Sequence, residues 1–111
     1  MSQSVVISGV GVWTPPHKIT NEELVECYNA YADLYNQQNE AEIAAGELAA
    51  KPHSSAEFIE KASGIKSRYI YCKDGVLDIH RMRPDIPERA DDEISQQAEI
   101  AVEAAKLAIQ S

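Results

Sequence analysis

Residues 4 to 12 set β-branched Val5, Val6, Ile7, Val10 and Val12 against Ser8, Gly9 and Gly11. A short, nearly continuous apolar run of this kind predicts a strand buried on both faces, central in a sheet. Glycine weakens a strand, so Gly9 and Gly11 are expected where another backbone or a helix approaches closely. Thr14-Pro15-Pro16 then turn the chain. A phosphate-binding loop is excluded, because no third glycine follows to open a helix.

The period then changes from strand to helix. Thr20 and Glu23 have capping-box spacing, and Leu24, Tyr28, Tyr31 and Tyr35 follow as one stripe of an amphipathic helix. The tyrosines read as core and contact residues, since each combines an apolar ring with a hydroxyl that needs a partner. Residues 41 to 50 either continue this helix or form a second one. Gly46 and Pro52 argue against one helix running through to Phe58. Ser54 with Glu57 offers a second capping box for a short helix carrying Phe58, Ile59 and Ala62, closed by Gly64.

Lys66 to Cys72 alternates as a strand and ends at the Asp74-Gly75 turn. Pro84 and Pro87 leave the following stretch to an ordered loop, with Met82 expected in an apolar pocket. Asp91, Asp92 and Glu93 are placed at the start of the last helix, where the helix dipole favours negative charge. Ile94, Ala98, Ala101, Ala105 and Ala108 trace its small-residue face, suited to very close packing.

Composition narrows the function classes. With 111 residues, 44% hydrophobic and 25% charged, the chain has the make-up of one modest soluble domain. A net charge of -8 argues against nucleic acid as a partner, because phosphate neutralisation needs surplus Lys and Arg. Residues 19 to 50 hold seven acids and no Lys or Arg, whereas residues 61 to 89 are locally basic. No apolar run reaches the roughly 20 residues of a membrane span and the start lacks a secretory signal, so a cytoplasmic protein without membrane attachment is expected. Cys27 and Cys72 fit no disulfide or zinc pattern and read as reduced thiols.

Candidate chemistry is sparse. Cys72 stands beside Lys73, which lowers a thiol pKa when close, and His53 or His80 would have to reach it in space. Cys27 sits next to Glu26, and a carboxylate raises a thiol pKa. The spacings of His17, His53 and His80 match no metal motif, and the acidic pairs lie at helix starts where the dipole accounts for them. No self-sufficient active site emerges, and no metal is expected.

Val5-Val6-Ile7-Ser8-Gly9-Val10-Gly11-Val12-Trp13-Thr14-Pro15 and Glu57-Phe58-Ile59-Glu60-Lys61-Ala62-Ser63-Gly64-Ile65-Lys66-Ser67-Arg68-Tyr69 together carry a resemblance. In order and spacing the chain resembles the amino-terminal part of a β-ketoacyl-acyl-carrier-protein synthase III of the thiolase superfamily. The resemblance implies an α/β class, with residues 1 to 111 an incomplete part of one thiolase-like domain, helix-rich in isolation and without a second domain. It implies transfer of an acyl group from coenzyme A to a cysteine, then decarboxylative attack by malonyl-acyl-carrier protein. The cysteine, histidine and asparagine of that chemistry would lie beyond residue 111, leaving this stretch alone without catalysis.

Only the edge of the coenzyme pocket carries over. The resemblance implies Phe58 as an aromatic against the adenine, Ser63 beside the pantetheine tunnel and Ser54 at its mouth. A core anchor for the short helix is the competing reading of Phe58. Ala62 stands where many members have an arginine for the coenzyme's phosphate, which removes a charge-assisted contact. The coenzyme A thioester would be a substrate, with no permanently bound cofactor. Acyl-CoA, acyl carrier protein and a second copy in a homodimer would be the partners. The alternatives are another thiolase-superfamily condensation, such as hydroxymethylglutaryl-CoA synthase-like or olefin-forming chemistry, or a stand-alone dimerising module.

Overall fold

In a computed structural model describing residues 3–111, the chain is helix-rich with one small sheet. It divides into two units, one of Pro15–Ile86 and one that joins the residues up to Thr14 to Pro87–Ser111.

The larger unit starts with a strand that the sequence pattern missed. After Pro15-Pro16, β1 (His17–Thr20) pairs antiparallel with β2 (Ser67–Ile70), His17 opposite Ile70 and Thr20 opposite Ser67. Four residues are too few to show a period. The pairing is fixed instead by Ile19, which is 1% exposed, and it is extended by the Asn21 N–H donating to the Lys66 carbonyl at 3.0 Å.

Helix α1 (Asn21–Gln38) starts at a complete capping box. The Thr20 hydroxyl accepts from the Glu23 N–H while the Glu23 carboxylate accepts from the Thr20 N–H. The helix closes at Asn39, and a separate short helix, α2 (Glu40–Ala44), stops before Gly46. The core of this unit is thin: among the described residues, Ile19, Cys27 and Ala32 are the buried apolar side chains, with Asn21 buried beside them.

Helix α3 (Ala56–Ser63) is capped by Ser55, whose hydroxyl accepts from the Phe58 N–H at 3.1 Å. The expected cap, Ser54, is one residue too early, because its N–H is already held by Asn29. Gly64 adopts the left-handed conformation at φ 74 and closes the helix as expected.

Beyond β2 the chain folds back on itself. Asp85 N–H reaches the Asp74 carbonyl at 2.7 Å, and the Arg81 and Met82 N–H groups both donate to the Asp78 carbonyl. Met82 is not tucked into an apolar pocket. It occupies the left-handed region at φ 53 and is 38% exposed, since the turn that brings Arg81 to Asp85 at 3.1 Å swings it outward.

In the smaller unit, α4 (Gln96–Gln110) is capped by Ser95. Asp91, Asp92 and Glu93 therefore precede the helix in a turn, leaving Glu99 as its first-turn acid. Glu99 pairs with Arg89 at 2.7 Å. The inward face also differs from the expected alanine stripe. Ala98, Ala101 and Ala105 are exposed, whereas Ile100, Ala104 and Ala108, spaced four apart, are half-buried.

The expected central strand at residues 4 to 12 does not form. Val5, Val6, Ile7, Val10 and Val12 are exposed, because no other strand among the described residues runs beside them to complete a ladder. What does lie against this segment is α4. A Cβ on Gly11 would stand 2.5 Å from the Ala104 carbonyl oxygen, and one on Gly9 would press on the Ala108 carbonyl. The expectation that these glycines admit a closely packed helix is thus met.

Candidate functional site

Within the larger unit, α1 and α3 enclose one side of a cavity of about 640 Å³. Leu24, Val25 and Tyr28 of α1 supply an apolar floor. Phe58 and Ile59 of α3 form a second apolar wall, and Pro52 to Ser55 complete the rim with an imidazole and two hydroxyls. This is the arrangement of a small-molecule site: apolar surface for most of the contact and a few polar groups for orientation.

Phe58 is 66% exposed. The ring is thus outside the buried core of this unit, with an aromatic face open at the cavity. Ser54 lines the same cavity. Ser63 does not. At the far end of α3 its hydroxyl donates to the Ile59 carbonyl at 2.7 Å and accepts from the Ile65 N–H at 3.2 Å, so it is engaged in closing the helix. The structure therefore brings two of the three residues implied by the resemblance, Phe58 and Ser54, to one place.

The rim is held by contacts that the sequence reading overlooked. Asn29 forms a matched pair with Ser54, its Oδ1 accepting from the Ser54 N–H at 2.8 Å and its Nδ2 donating to the Ser54 carbonyl at 3.2 Å. Asn36 does the same for Lys51, at 2.8 and 3.0 Å. Between them Asp33 Oδ1 meets His53 Nε2 at 2.6 Å. The spacing of Asn29, Asp33 and Asn36 was the available signal: steps of four and three share one helix face. The tyrosine stripe is the stronger periodic pattern on the same helix. Tyr28, Tyr31 and Tyr35 do stack along α1 with centroids 6.5 and 6.3 Å apart, and the Lys51 ammonium lies 4.5 Å from the Tyr35 ring.

Neither cysteine has the surroundings of a nucleophile. Cys27 is buried against the Val76 carbonyl, and burial followed by the nearby Asp78 charge pushes its thiol above the ordinary value. The effect expected from a carboxylate is present, but as the lesser cause and from Asp78 rather than Glu26. Cys72 Sγ donates to the Asp85 carbonyl. Lys73 is engaged elsewhere, 2.7 Å from Glu23 and 3.1 Å from the Lys18 carbonyl. That ion pair, with the Thr20 N–H second, holds the Glu23 carboxyl below its ordinary value. No group of His, Cys, Asp and Glu among the described residues is suited to a metal ion. No helix among them is long and apolar enough to cross a membrane.

Among curated proteins, the chain is similar to a β-ketodecanoyl-[acyl-carrier-protein] synthase of Pseudomonas aeruginosa. The two are 51% identical over 86 residues, which is 78% of this chain and 25% of that protein. The chain thus spans about a quarter of the length of this curated relative. No protein-family model matches it. The similarity bears out the resemblance drawn from the Val5–Pro15 and Glu57–Tyr69 segments.

Proposed function

We propose that this chain forms the thioester-binding edge of a β-ketoacyl-acyl-carrier-protein synthase, an acyltransferase of fatty acid synthesis with a thiolase-like fold. The observation that carries the reading is 51% identity over 86 residues to a synthase of that kind. Phe58 and Ser54 at one cavity support it, as an aromatic face and a hydroxyl suited to the adenine end and the tunnel mouth of a coenzyme A thioester.

The reaction divides between this edge and groups supplied from outside residues 1 to 111. A cysteine thiolate attacks the acyl thioester, forming a new thioester bond and releasing coenzyme A as the thiol. Malonyl-acyl-carrier protein then loses carbon dioxide, and the electron pair of the broken carbon–carbon bond attacks the acyl carbon. The cysteine leaves, and the product is a β-ketoacyl group two carbons longer. Backbone donors hold the oxyanion, and histidine and asparagine polarise the malonyl thioester. The part played by this chain is to bind and orient the donor, which lowers the cost of bringing the reactants together. Acyl-CoA and acyl carrier protein are the partners on this reading, in a cytoplasmic homodimer.

The test begins with the intact mass of the protein made from its native coding sequence, followed by an assay of carbon dioxide release that requires both acyl-CoA and malonyl-acyl-carrier protein. Condensation dependent on both substrates supports the reading. A purified native product that binds neither substrate and releases no carbon dioxide overturns it.

A further inference from the structure

One wall of the cavity, Pro52 to Ser54, ends a segment that runs from Lys51 in neither helix nor strand. Isolated backbone of this kind needs its polar groups met by side chains or water if it is to hold one position. Here α1 meets those of Lys51 and Ser54 and holds the His53 side chain between them. Asn36 takes both backbone groups of Lys51, Asp33 takes the His53 ring, and Asn29 takes both backbone groups of Ser54. The skipped residue is Pro52, which has no N–H to offer.

The lengths agree. Seven helical steps from Asn29 to Asn36 rise about 10 Å, and three extended steps from Lys51 to Ser54 reach about 10 Å. The segment therefore docks along the helix in the opposite direction, rung against rung. A side-chain amide that satisfies both N–H and C=O of one residue fixes orientation as well as distance, as a neighbouring strand would. The Lys51 ammonium over the Tyr35 ring secures the far end.

We propose that Asn29, Asp33 and Asn36 are positioning residues that fix this wall and thereby set how tightly the cavity holds the coenzyme end of its thioester. The inference rests on the synthase reading and deepens it. Leu24, Val25 and Tyr28 of the cavity floor belong to the same helix as the three rungs. The floor and the docked rim thus form one rigid frame, and a released rim changes the width of the site without touching any reacting group. The influence of each rung depends on its distance along the segment from Ser54, which lines the cavity, whereas Lys51 does not.

The experiment compares Asn29→Ala and Asn36→Ala in the protein made from its native coding sequence. Each variant loses one matched pair of hydrogen bonds, so their thermal midpoints should fall by similar amounts. The KM for acyl-CoA should part company, rising about tenfold for Asn29→Ala and threefold or less for Asn36→Ala, with kcat within about twofold in both. Asn29→Asp keeps the acceptor for the Ser54 N–H and should recover part of the KM; it also serves if the alanine variant does not fold. Equal KM values in both alanine variants and the parent, with equal loss of stability, overturn the inference and leave the synthase reading intact. A parent without condensation fails that reading instead. The rungs are then judged by amide exchange at Ser54, which must quicken at least about tenfold in Asn29→Ala or the inference falls as well.

Discussion

Gly11 and Ala104 are in such close apposition that a single added methyl group on the glycine would stand 2.5 Å from the alanine's carbonyl oxygen. The neighbour is backbone within α4, which cannot rotate aside as a side chain would. Gly11→Ala should therefore destabilise the smaller unit by about 2 kcal/mol or more, at or above the usual cost of overpacking. Gly46→Ala is the control. Its Cβ would meet nothing within 4 Å, so the cost comes from its φ of 79 alone, about 1 kcal/mol. Chemical denaturation of both variants separates contact from conformation.

Ser55, not Ser54, caps α3. Ser55→Ala should lower stability by about 1 kcal/mol, the usual value of a lost N-cap. Ser54→Ala should leave it within about 0.5 kcal/mol, since Asn29 grips the Ser54 backbone and not its side chain. Equal losses in thermal melts would contradict this assignment.

The Glu23 carboxyl is held below its ordinary value of 4.5, first by Lys73 and then by the Thr20 N–H. A depressed carboxyl contributes stability that is complete above the unfolded value and is lost as pH falls through the folded one. The loss should therefore begin near the ordinary value and continue below it. Glu23→Gln should remove this acid-dependent component and flatten the stability profile in that window. An unchanged acid limb in pH-dependent denaturation would show that the pair with Lys73 contributes nothing.

Cys27 is buried with its thiol pushed up, whereas Cys72 is half-buried. Thiolate is the reacting form, so Cys27 should alkylate at least about tenfold more slowly at neutral pH. Peptide mass mapping after timed exposure to iodoacetamide reads both rates. Comparable rates in folded protein would mean that the region around Val76 opens readily.

Phe58 is two-thirds exposed and should be replaceable without structural loss. Phe58→Ala is expected to shift stability by about 0.5 kcal/mol or less, as for other surface positions, while weakening thioester binding about tenfold. A large fall in melting temperature with unchanged binding would return the ring to a packing role.

Local signals were legible where one stretch of chain settles its own conformation. The Thr20–Glu23 box, the left-handed Gly64 and the core of β2 follow from groups within a few residues of each other. The site was only half legible. Phe58 and Ser54 came from resemblance, and the docking of Lys51 to Ser54 on α1 escaped because each rung joins residues 15 to 25 positions apart. β1 escaped for a related reason: four residues become a strand when β2 offers them an edge.

The sequence by itself determined the Thr20–Glu23 box that opens α1 and the Gly64 that closes α3, that Gly9 and Gly11 must admit a close neighbour, and the kind of synthase the chain resembles. These depend on backbone sterics, capping and residue identity, all carried locally. Only the tertiary structure decided that the neighbour is the Ala104–Ala108 face, that Phe58 is open rather than buried, and that an asparagine rail holds the cavity wall. Those outcomes depend on which distant surfaces meet. Burial and hydrogen bonding are properties of the meeting and not of either segment alone.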